Sequence, residues 1–201
     1  MLRRALFLDR DGVINVDSGY VHRVDQVVFI DGIFTLVRAA RAAGYRVIVA
    51  TNQAGIARGY YTEADFLLLT CWLRQRFAAS GACLDAVYHC PHHPQHGIGA
   101  LRRECICRKP APGMLLRAAH EHEIDLSASI LIGDNASDML AAAAAGIGLR
   151  CLLRHGVAAS TNTASVGCHA ASVVITHLCQ LLPYLDAHLP TTAAEALQRR
   201  P

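Results

Sequence analysis

Residues 5–12 read A-L-F-L-D-R-D-G, so four consecutive apolar residues run directly into two aspartates and a glycine. A short run that is apolar at every position is typical of a strand in a parallel sheet, where helices cover both faces. Asp9 and Asp11 would therefore stand at the carboxyl end of a buried strand and face a common point. Asp and Gly also form ordinary turns after strands, so this stretch alone does not establish a site.

Further apolar runs alternate with segments of helical period along the chain. Strands that alternate with helices build βαβ units, which predicts an α/β fold with a doubly wound, Rossmann-like parallel sheet. The predicted strands are 5–8, 45–50, 84–88, 129–132, 147–153 and 172–175, and the predicted helices are 32–43, 63–79, 112–121 and 138–145. Ligands bind beyond the carboxyl ends of strands in such sheets. We therefore expect Asp9, Thr51 and Asp134, which each follow a strand, to meet at one edge.

The composition fits a globular protein, because 53% of the 201 residues are hydrophobic and 17% are charged. We interpret residues 1–189 as a single domain with an inserted loop at 90–107, followed by a weakly ordered tail at 190–201. The net charge of +3 is too small to indicate a nucleic-acid partner. Neither a signal peptide nor an apolar run of roughly 18 residues is present, so we expect no membrane partner. We also expect a cytoplasmic location and a monomer.

Cysteine and histidine cluster in the inserted loop and just after it. Residues 90–95 read C-P-H-H-P-Q, and residues 105–110 read C-I-C-R-K-P. Soft ligands at positions i and i+2, present twice, suit one tetrahedral zinc ion. In a reducing compartment such a cluster indicates metal rather than disulfides. The loop would also fix the direction of Arg108 and Lys109, which follow the last thiol.

The aspartates suit phosphate chemistry. Asp9, Asp11 and Asp134 would form a hard, oxygen-rich site that suits Mg²⁺, and the ion would mask the charge of a phosphate under attack. Asp9 could then form an aspartyl-phosphate. Asp11 would protonate the departing alkoxide and later take a proton from the hydrolytic water. Thr51 offers a hydroxyl where phosphate oxygens would lie, and Lys109 supplies a cation.

The ordered set Asp-x-Asp-Gly, Thr-Asn, Lys and Gly-Asp-x-x-x-Asp resembles the haloacid dehalogenase (HAD) superfamily of phosphohydrolases, from about residue 6 to residue 153. The resemblance implies a HAD-like core with Asp9 as nucleophile and Asp11 as general acid/base. It implies Mg²⁺ on Asp9, Asp134 and the Asp11 backbone carbonyl, with Thr51 and Lys109 on the phosphoryl group. The loop resembles that of the histidinol-phosphatase-like branch, which implies a structural Zn²⁺ on Cys90, His92, Cys105 and Cys107.

Four stretches resemble a sugar-bisphosphate phosphatase of that branch, namely residues 17–22, 51–59, 90–95 and 107–114. This implies a small-molecule sugar bisphosphate as substrate and an open site without a separate cap domain. The phosphate that does not react needs its own cation, which Arg108 or Arg58 could provide. The predicted substrate-binding residues are Asp17, Ser18, Gly19, Tyr20, Asn52, Gln53, Ala54, Arg58, Arg108 and Asn135.

Two other interpretations stay open. A histidinol-phosphate phosphatase would recognise an amine and an imidazole, which call for acidic residues rather than this basic loop. A zinc-dependent module that binds nucleic acid or protein would need a basic, aromatic-rich face, whereas only 6% of the residues are aromatic. Asn135 stands where the family pattern has Lys, which weakens one charge contact. The roles of His93, His96 and Asp138 are open.

Overall fold

A computed structural model describes residues 2–155 and 170–187, so the predicted tail at 190–201 lies outside the described residues. Six parallel strands form one sheet in the order β3-β2-β1-β4-β5-β6, which confirms the predicted doubly wound sheet. The strands are β1 Ala5–Leu8, β2 Arg46–Asn52, β3 Ala86–Cys90, β4 Ile130–Gly133, β5 Leu149–Leu153 and β6 Val173–Ile175.

The helices lie between the strands and after the last one. They are α1 Ile33–Ala42, α2 Ala54–Ala57, α3 Glu63–Ala79, α4 Gly113–His122, α5 Ala136–Ala145 and α6 Leu182–Ala187. Four of them match the predicted helices to within two residues. The capping box predicted before α3 is present, since the Thr62 hydroxyl accepts from the Asp65 N–H at 3.1 Å. No helix in the described ranges has the length and apolar character needed to cross a bilayer.

Side chains of the central strand alternate between two hydrophobic layers. Leu6 and Leu8 pack with α1 on one face of the sheet, whereas Ala5 and Phe7 pack with α4 and α5 on the other. All four are fully buried. Burial of each Leu or Phe side chain contributes about 1.5–3 kcal/mol. Residues 5–8 are therefore continuously apolar because helices cover both faces of β1.

The strand order reverses beside β1, because β2 pairs with one of its edges and β4 with the other. In doubly wound sheets such a reversal opens a crevice at the carboxyl ends of the strands, where ligands bind. Asp9 follows β1 and Asp134 follows β4, so both flank this crevice. The Asp9 N–H donates to the Ile132 carbonyl at 3.0 Å, which extends the pairing of the two strands to the edge.

Candidate active site

A cavity of about 530 Å³ opens at the carboxyl ends of β1, β2 and β4. It brings together Asp9, Asp11, Thr51, Lys109 and Asp134, which come from separate parts of the chain. Most of the predicted substrate-binding residues also line it, namely Asp17, Gly19, Tyr20, Asn52, Gln53, Ala54, Arg108 and Asn135. Sequence reasoning missed three further lining residues, which are Gly55, Tyr61 and Ser137.

Lys109 is held rigidly against the nucleophile candidate. Its Nζ lies 3.0 Å from Asp9 Oδ1 and 2.6 Å from Asp138 Oδ1, and it donates to the Ala50 carbonyl at 2.8 Å. The Asn52 side chain donates to the Lys109 carbonyl and accepts from its N–H, at 3.0 and 3.1 Å. Only 2% of the lysine side chain is exposed, so its position is set entirely by protein groups.

Asp138 has two roles, which resolves the question left open by the sequence. Its Oδ2 accepts from the Asn135 N–H at 3.0 Å and so caps α5, while its Oδ1 forms the ion pair with Lys109. The side chain is fully buried. The adjacent Gly133 is required here, because a Cβ at that position would lie 2.3 Å from the Asp138 Cβ.

The pKa values of the buried carboxyl groups are shifted upward. Burial raises the pKa of Asp9 to about 7, and the Asp138 and Asp11 carboxylates add to this although Lys109 opposes it. Burial and the Asp138 carboxylate raise the pKa of Asp134 to about 6. Burial alone would lower the pKa of Lys109, but Asp138 and Asp9 outweigh it and raise that pKa above its ordinary value. The single ammonium group of Lys109 therefore lies among several carboxylates, and negative charge exceeds positive charge in this group.

A cation fits this group of oxygens. Carboxylate oxygens of Asp9, Asp134 and Asp138 lie within 4.8 Å of one another, and an all-oxygen donor set suits Mg²⁺. Gly12 leaves room for these carboxylate oxygens because it has no side chain, and a Cβ there would lie 2.0 Å from Asp134 Oδ2. The Asp11 carboxylate is not in this group, whereas that of Asp138, whose role the sequence leaves open, is.

The Asp11 carboxylate is surrounded by side-chain donors. The Arg10 guanidinium binds it through Nε and Nη2, the shortest contact being 2.8 Å. Asn15 Nδ2 donates to it at 3.0 Å and Gln53 Nε2 at 3.2 Å. Arg10 is 2% exposed, although arginines usually lie at the surface. Sequence reasoning missed Arg10 and Asn15, and the basic residue between two aspartates was the only available signal.

Gln53 also connects Thr51 with a tyrosine behind the site. Tyr61 Oη donates to Gln53 Oε1 at 2.5 Å, and Gln53 Nε2 donates to Thr51 Oγ1 at 2.8 Å. Burial raises the pKa of Tyr61 to about 12, which keeps the phenol protonated as a donor. Gly55 lets the tyrosine approach, because a Cβ there would lie 2.1 Å from its ring.

Two predicted substrate-binding residues do not line the cavity. The Arg58 guanidinium lies over the Tyr20 ring, 5.9 Å from its centroid, and Ser18 is exposed outside the lining. Arg108 does line the cavity, and its Nη1 donates to the His92 carbonyl at 3.1 Å. Asn135 is the exposed N-cap of α5, and its side chain accepts from the Ser137 N–H at 3.1 Å.

The predicted zinc ligands converge on one point. The Sγ atoms of Cys90, Cys105 and Cys107 lie 3.2–3.4 Å apart, and His92 Nδ1 lies 3.5 Å from Cys107 Sγ and 3.7 Å from Cys90 Sγ. A tetrahedral zinc with ordinary bond lengths would separate its ligand atoms by roughly 3.5–3.8 Å. The two His92 distances match this range, whereas the sulfur–sulfur distances are slightly shorter, so the four residues would hold the ion after the thiols move slightly apart. His93 is not in the group, because its Nδ1 accepts from the backbone N–H groups of residues 95 and 96.

Comparisons with known proteins show which sequences and folds this chain is similar to. A HAD-hydrolase-like family model matches residues 106–181. The D-glycero-alpha-D-manno-heptose-1,7-bisphosphate 7-phosphatase of Burkholderia mallei is 50% identical over 190 residues, 94% of this chain and 97% of that protein. The D-glycero-beta-D-manno-heptose-1,7-bisphosphate 7-phosphatase of Escherichia coli K12 is 50% identical over 152 residues, 76% and 80% of the two chains.

A solved structure with the same fold also matches most of the length of both chains. It is the D,D-heptose 1,7-bisphosphate phosphatase of B. bronchiseptica, crystallised with magnesium and phosphate. The TM-score is 0.74 at 29% identity, and the match covers 92% of this chain and 99% of that one.

Proposed function

Because the chain belongs to the D-glycero-D-manno-heptose-1,7-bisphosphate 7-phosphatase family of HAD-like hydrolases, we propose that it removes the C7 phosphate of this sugar and leaves the 1-phosphate. The enzyme is a Mg²⁺-dependent phosphomonoester hydrolase that acts in the synthesis of ADP-heptose for the lipopolysaccharide core. One observation carries the proposal: a single cavity unites Asp9, Asp11, Thr51, Lys109 and Asp134.

In the first step, Asp9 attacks the 7-phosphate. Lys109 Nζ and the Arg10 N–H both contact Oδ1 of Asp9, at 3.0 and 2.7 Å, which supports Oδ2 as the attacking atom. The new phosphorus–oxygen bond gives an aspartyl-phosphate while the bond from phosphorus to the sugar oxygen breaks. Asp11 protonates the departing alkoxide.

In the second step, water hydrolyses the aspartyl-phosphate. Asp11, now ionised, takes a proton from the water as it attacks phosphorus, and Asp9 leaves as a carboxylate. Arg10, Asn15 and Gln53 fix the direction of the Asp11 carboxylate throughout. Inorganic phosphate and heptose 1-phosphate are the products.

The phosphoryl group needs positive charge and hydrogen-bond donors around it. Lys109 and Thr51 would bind its oxygens, and Asp138 keeps Lys109 charged and in place. Asp9, Asp134 and the Asp11 backbone carbonyl would hold Mg²⁺. When bound, Mg²⁺ neutralises charge on the phosphoryl oxygens and on the attacking carboxylate.

Substrate selectivity would come from residues around the cavity rather than from a cap domain. Arg108 is the better candidate for the 1-phosphate, because it lines the cavity while Arg58 lies over Tyr20. The remaining contacts to the sugar would come from Asp17, Ser18, Gly19, Tyr20, Asn52, Gln53, Ala54 and Asn135.

A structural Zn²⁺ on Cys90, His92, Cys105 and Cys107 would fix the loop at 90–107. With all four residues bound, the ion would have no place left for a reacting water, so it would hold the loop rather than take part in the reaction. Cysteine thiols that act as metal ligands stay reduced in a reducing compartment, which supports a cytoplasmic location. The residues that line the cavity and carry the proposed reaction come from one chain, which supports a monomer. The sugar bisphosphate is the only partner proposed.

Phosphate release tests the function directly. We expect both heptose 1,7-bisphosphate anomers to be far better substrates than histidinol phosphate, and we expect chelation of Mg²⁺ to abolish release. Histidinol-phosphate phosphatase activity is not favoured, since the relatives matched are heptose bisphosphate phosphatases. Faster turnover of histidinol phosphate would overturn the assignment.

A further inference from the structure

His155 contacts the catalytic turn from the far end of the sequence. It lies two residues after β5, and its Nε2 is 2.7 Å from the Gly12 carbonyl oxygen. The carbonyl can only accept, so the imidazole donates through Nε2–H. The ring itself is exposed, and no step described above uses it.

Gly12 sits where the magnesium site is most tightly packed. Its φ is +79°, and a Cβ would lie 2.0 Å from Asp134 Oδ2, so its backbone is directly against that carboxylate. Its N–H donates to the Asn15 carbonyl at 2.7 Å. The carbonyl of Asp11 belongs to the same peptide group as this N–H. His155 completes the constraint, because it fixes the carbonyl on the other side of Gly12.

We propose that His155 is a positioning residue for the magnesium site. Its hydrogen bond to the Gly12 carbonyl fixes the conformation of the turn at Asp11 and Gly12. This conformation directs the Asp11 carbonyl towards the magnesium site and keeps the Gly12 backbone packed against Asp134. This role rests on the proposed function, in which Asp11 and Asp134 hold Mg²⁺. His155 touches neither substrate nor metal, and it acts through Gly12.

Mg²⁺ binding to the substrate-free protein provides the test. We expect His155→Ala to raise the Mg²⁺ Kd measured by calorimetry about three- to tenfold, as loss of one partly exposed hydrogen bond predicts. The Mg²⁺ concentration for half-maximal phosphate release should rise by the same factor. At saturating Mg²⁺, kcat should stay within about twofold of wild type.

Two further variants separate this role from a general structural one. His155→Gln keeps an N–H donor, and we expect it to restore most of the Mg²⁺ affinity. His177→Ala removes another exposed histidine, which contacts Asp31 across a 3.5 Å ion pair and the Cys179 Sγ at 3.5 Å, away from the cavity, and it should leave Mg²⁺ binding unchanged. Melting temperatures in EDTA should be alike for all the variants.

The possible failures are distinguishable. If wild type binds Mg²⁺ and releases phosphate while His155→Ala has the wild-type Kd, the positioning role is wrong and the proposed function stands. The role is equally contradicted if His155→Gln loses as much affinity as His155→Ala. If wild type neither binds Mg²⁺ nor releases phosphate, both proposals are wrong.

Discussion

Asp9 and Asp138 form ion pairs with one buried cation, Lys109, and the Asp134 carboxylate lies beside them at the carboxyl edge of the sheet. Fully ionised, three carboxylates and one ammonium carry two net negative charges, which one Mg²⁺ would neutralise. Burial raises the pKa values of Asp9 and Asp134, and the neighbouring carboxylates add to the shift. The charge of this group therefore depends on pH.

The pKa values of about 7 for Asp9 and about 6 for Asp134 lie above the ordinary value of 3.8. Because folding favours their protonated forms, their contribution to stability is fully present below about pH 4 and is lost as pH rises through 6 and 7. Mg²⁺ needs the ionised forms, so its affinity should increase over the same range. Melts from pH 5 to 8 with EDTA or Mg²⁺ should show a Mg²⁺-induced rise in Tm that grows with pH. If the Mg²⁺-induced rise in Tm were constant across this pH range, it would contradict the raised pKa values of Asp9 and Asp134.

Asp9→Asn should remove the nucleophile while the fold survives. We expect kcat to fall on the order of 10⁴-fold, as for other catalytic nucleophiles. In EDTA at pH 8 the variant should melt no lower than wild type, because one buried carboxyl group no longer has to ionise. Asp31→Asn is the matched control, since that carboxylate is 91% exposed and lies outside the cavity. Substantial phosphatase activity in Asp9→Asn would contradict the nucleophile assignment.

At the scale of elements, the segment between β3 and α4 links the Cys/His cluster to the phosphoryl site. Cys90 ends β3, and Cys107 immediately precedes Arg108, whose Nη1 contacts the His92 carbonyl. Lys109 is then tied to β2 through Asn52. The loop is therefore anchored at the cluster and at the sheet, and the two basic residues lie between these anchors.

Cys107→Ser should remove one ligand of the proposed zinc site and loosen this segment. We expect metal analysis to find less than one zinc per chain, and proteases to cut within residues 93–104. The value of kcat/KM should fall about 10- to 100-fold, because the cations lose one anchor. Cys83→Ser is the control, as this exposed thiol lies outside the cluster. A variant without zinc that keeps wild-type kcat/KM would show that the ion does not position Arg108 and Lys109.

The elements with a long periodic pattern were predictable, and the short ones were not. α3 was predicted at its observed bounds, because it has both a capping box and seventeen helical residues. α2 has only four residues, which is too short for any period to appear in the sequence. It nevertheless carries Gly55, which admits Tyr61 behind Gln53. The hydrogen bonds that connect Tyr61, Gln53 and Thr51 were missed for that reason.

For the whole molecule, residue identity and strand order together account for the site. Asp9, Thr51 and Asp134 could be placed at one edge from the sequence, because each stands at the carboxyl end of a strand of a parallel sheet. The hydrogen-bond partners of Asp11 and Gly12 could not be predicted in this way. The Arg10 side chain folds back to bind the carboxylate of the next residue, and His155 is 143 residues from Gly12 in the sequence. Such contacts depend on side-chain direction and on tertiary packing, which no local pattern reports.

We expect this protein to remove the 7-phosphate and to spare the 1-phosphate, with Asp9 as the attacking group. ³¹P NMR of heptose 1,7-bisphosphate during turnover tests it most directly, because the two phosphates give separate signals. With Mg²⁺ the signal at C7 should give way to inorganic phosphate while the C1 signal persists, and neither should change with Asp9→Asn. Loss of the C1 signal first, or equal loss of both, would contradict the account.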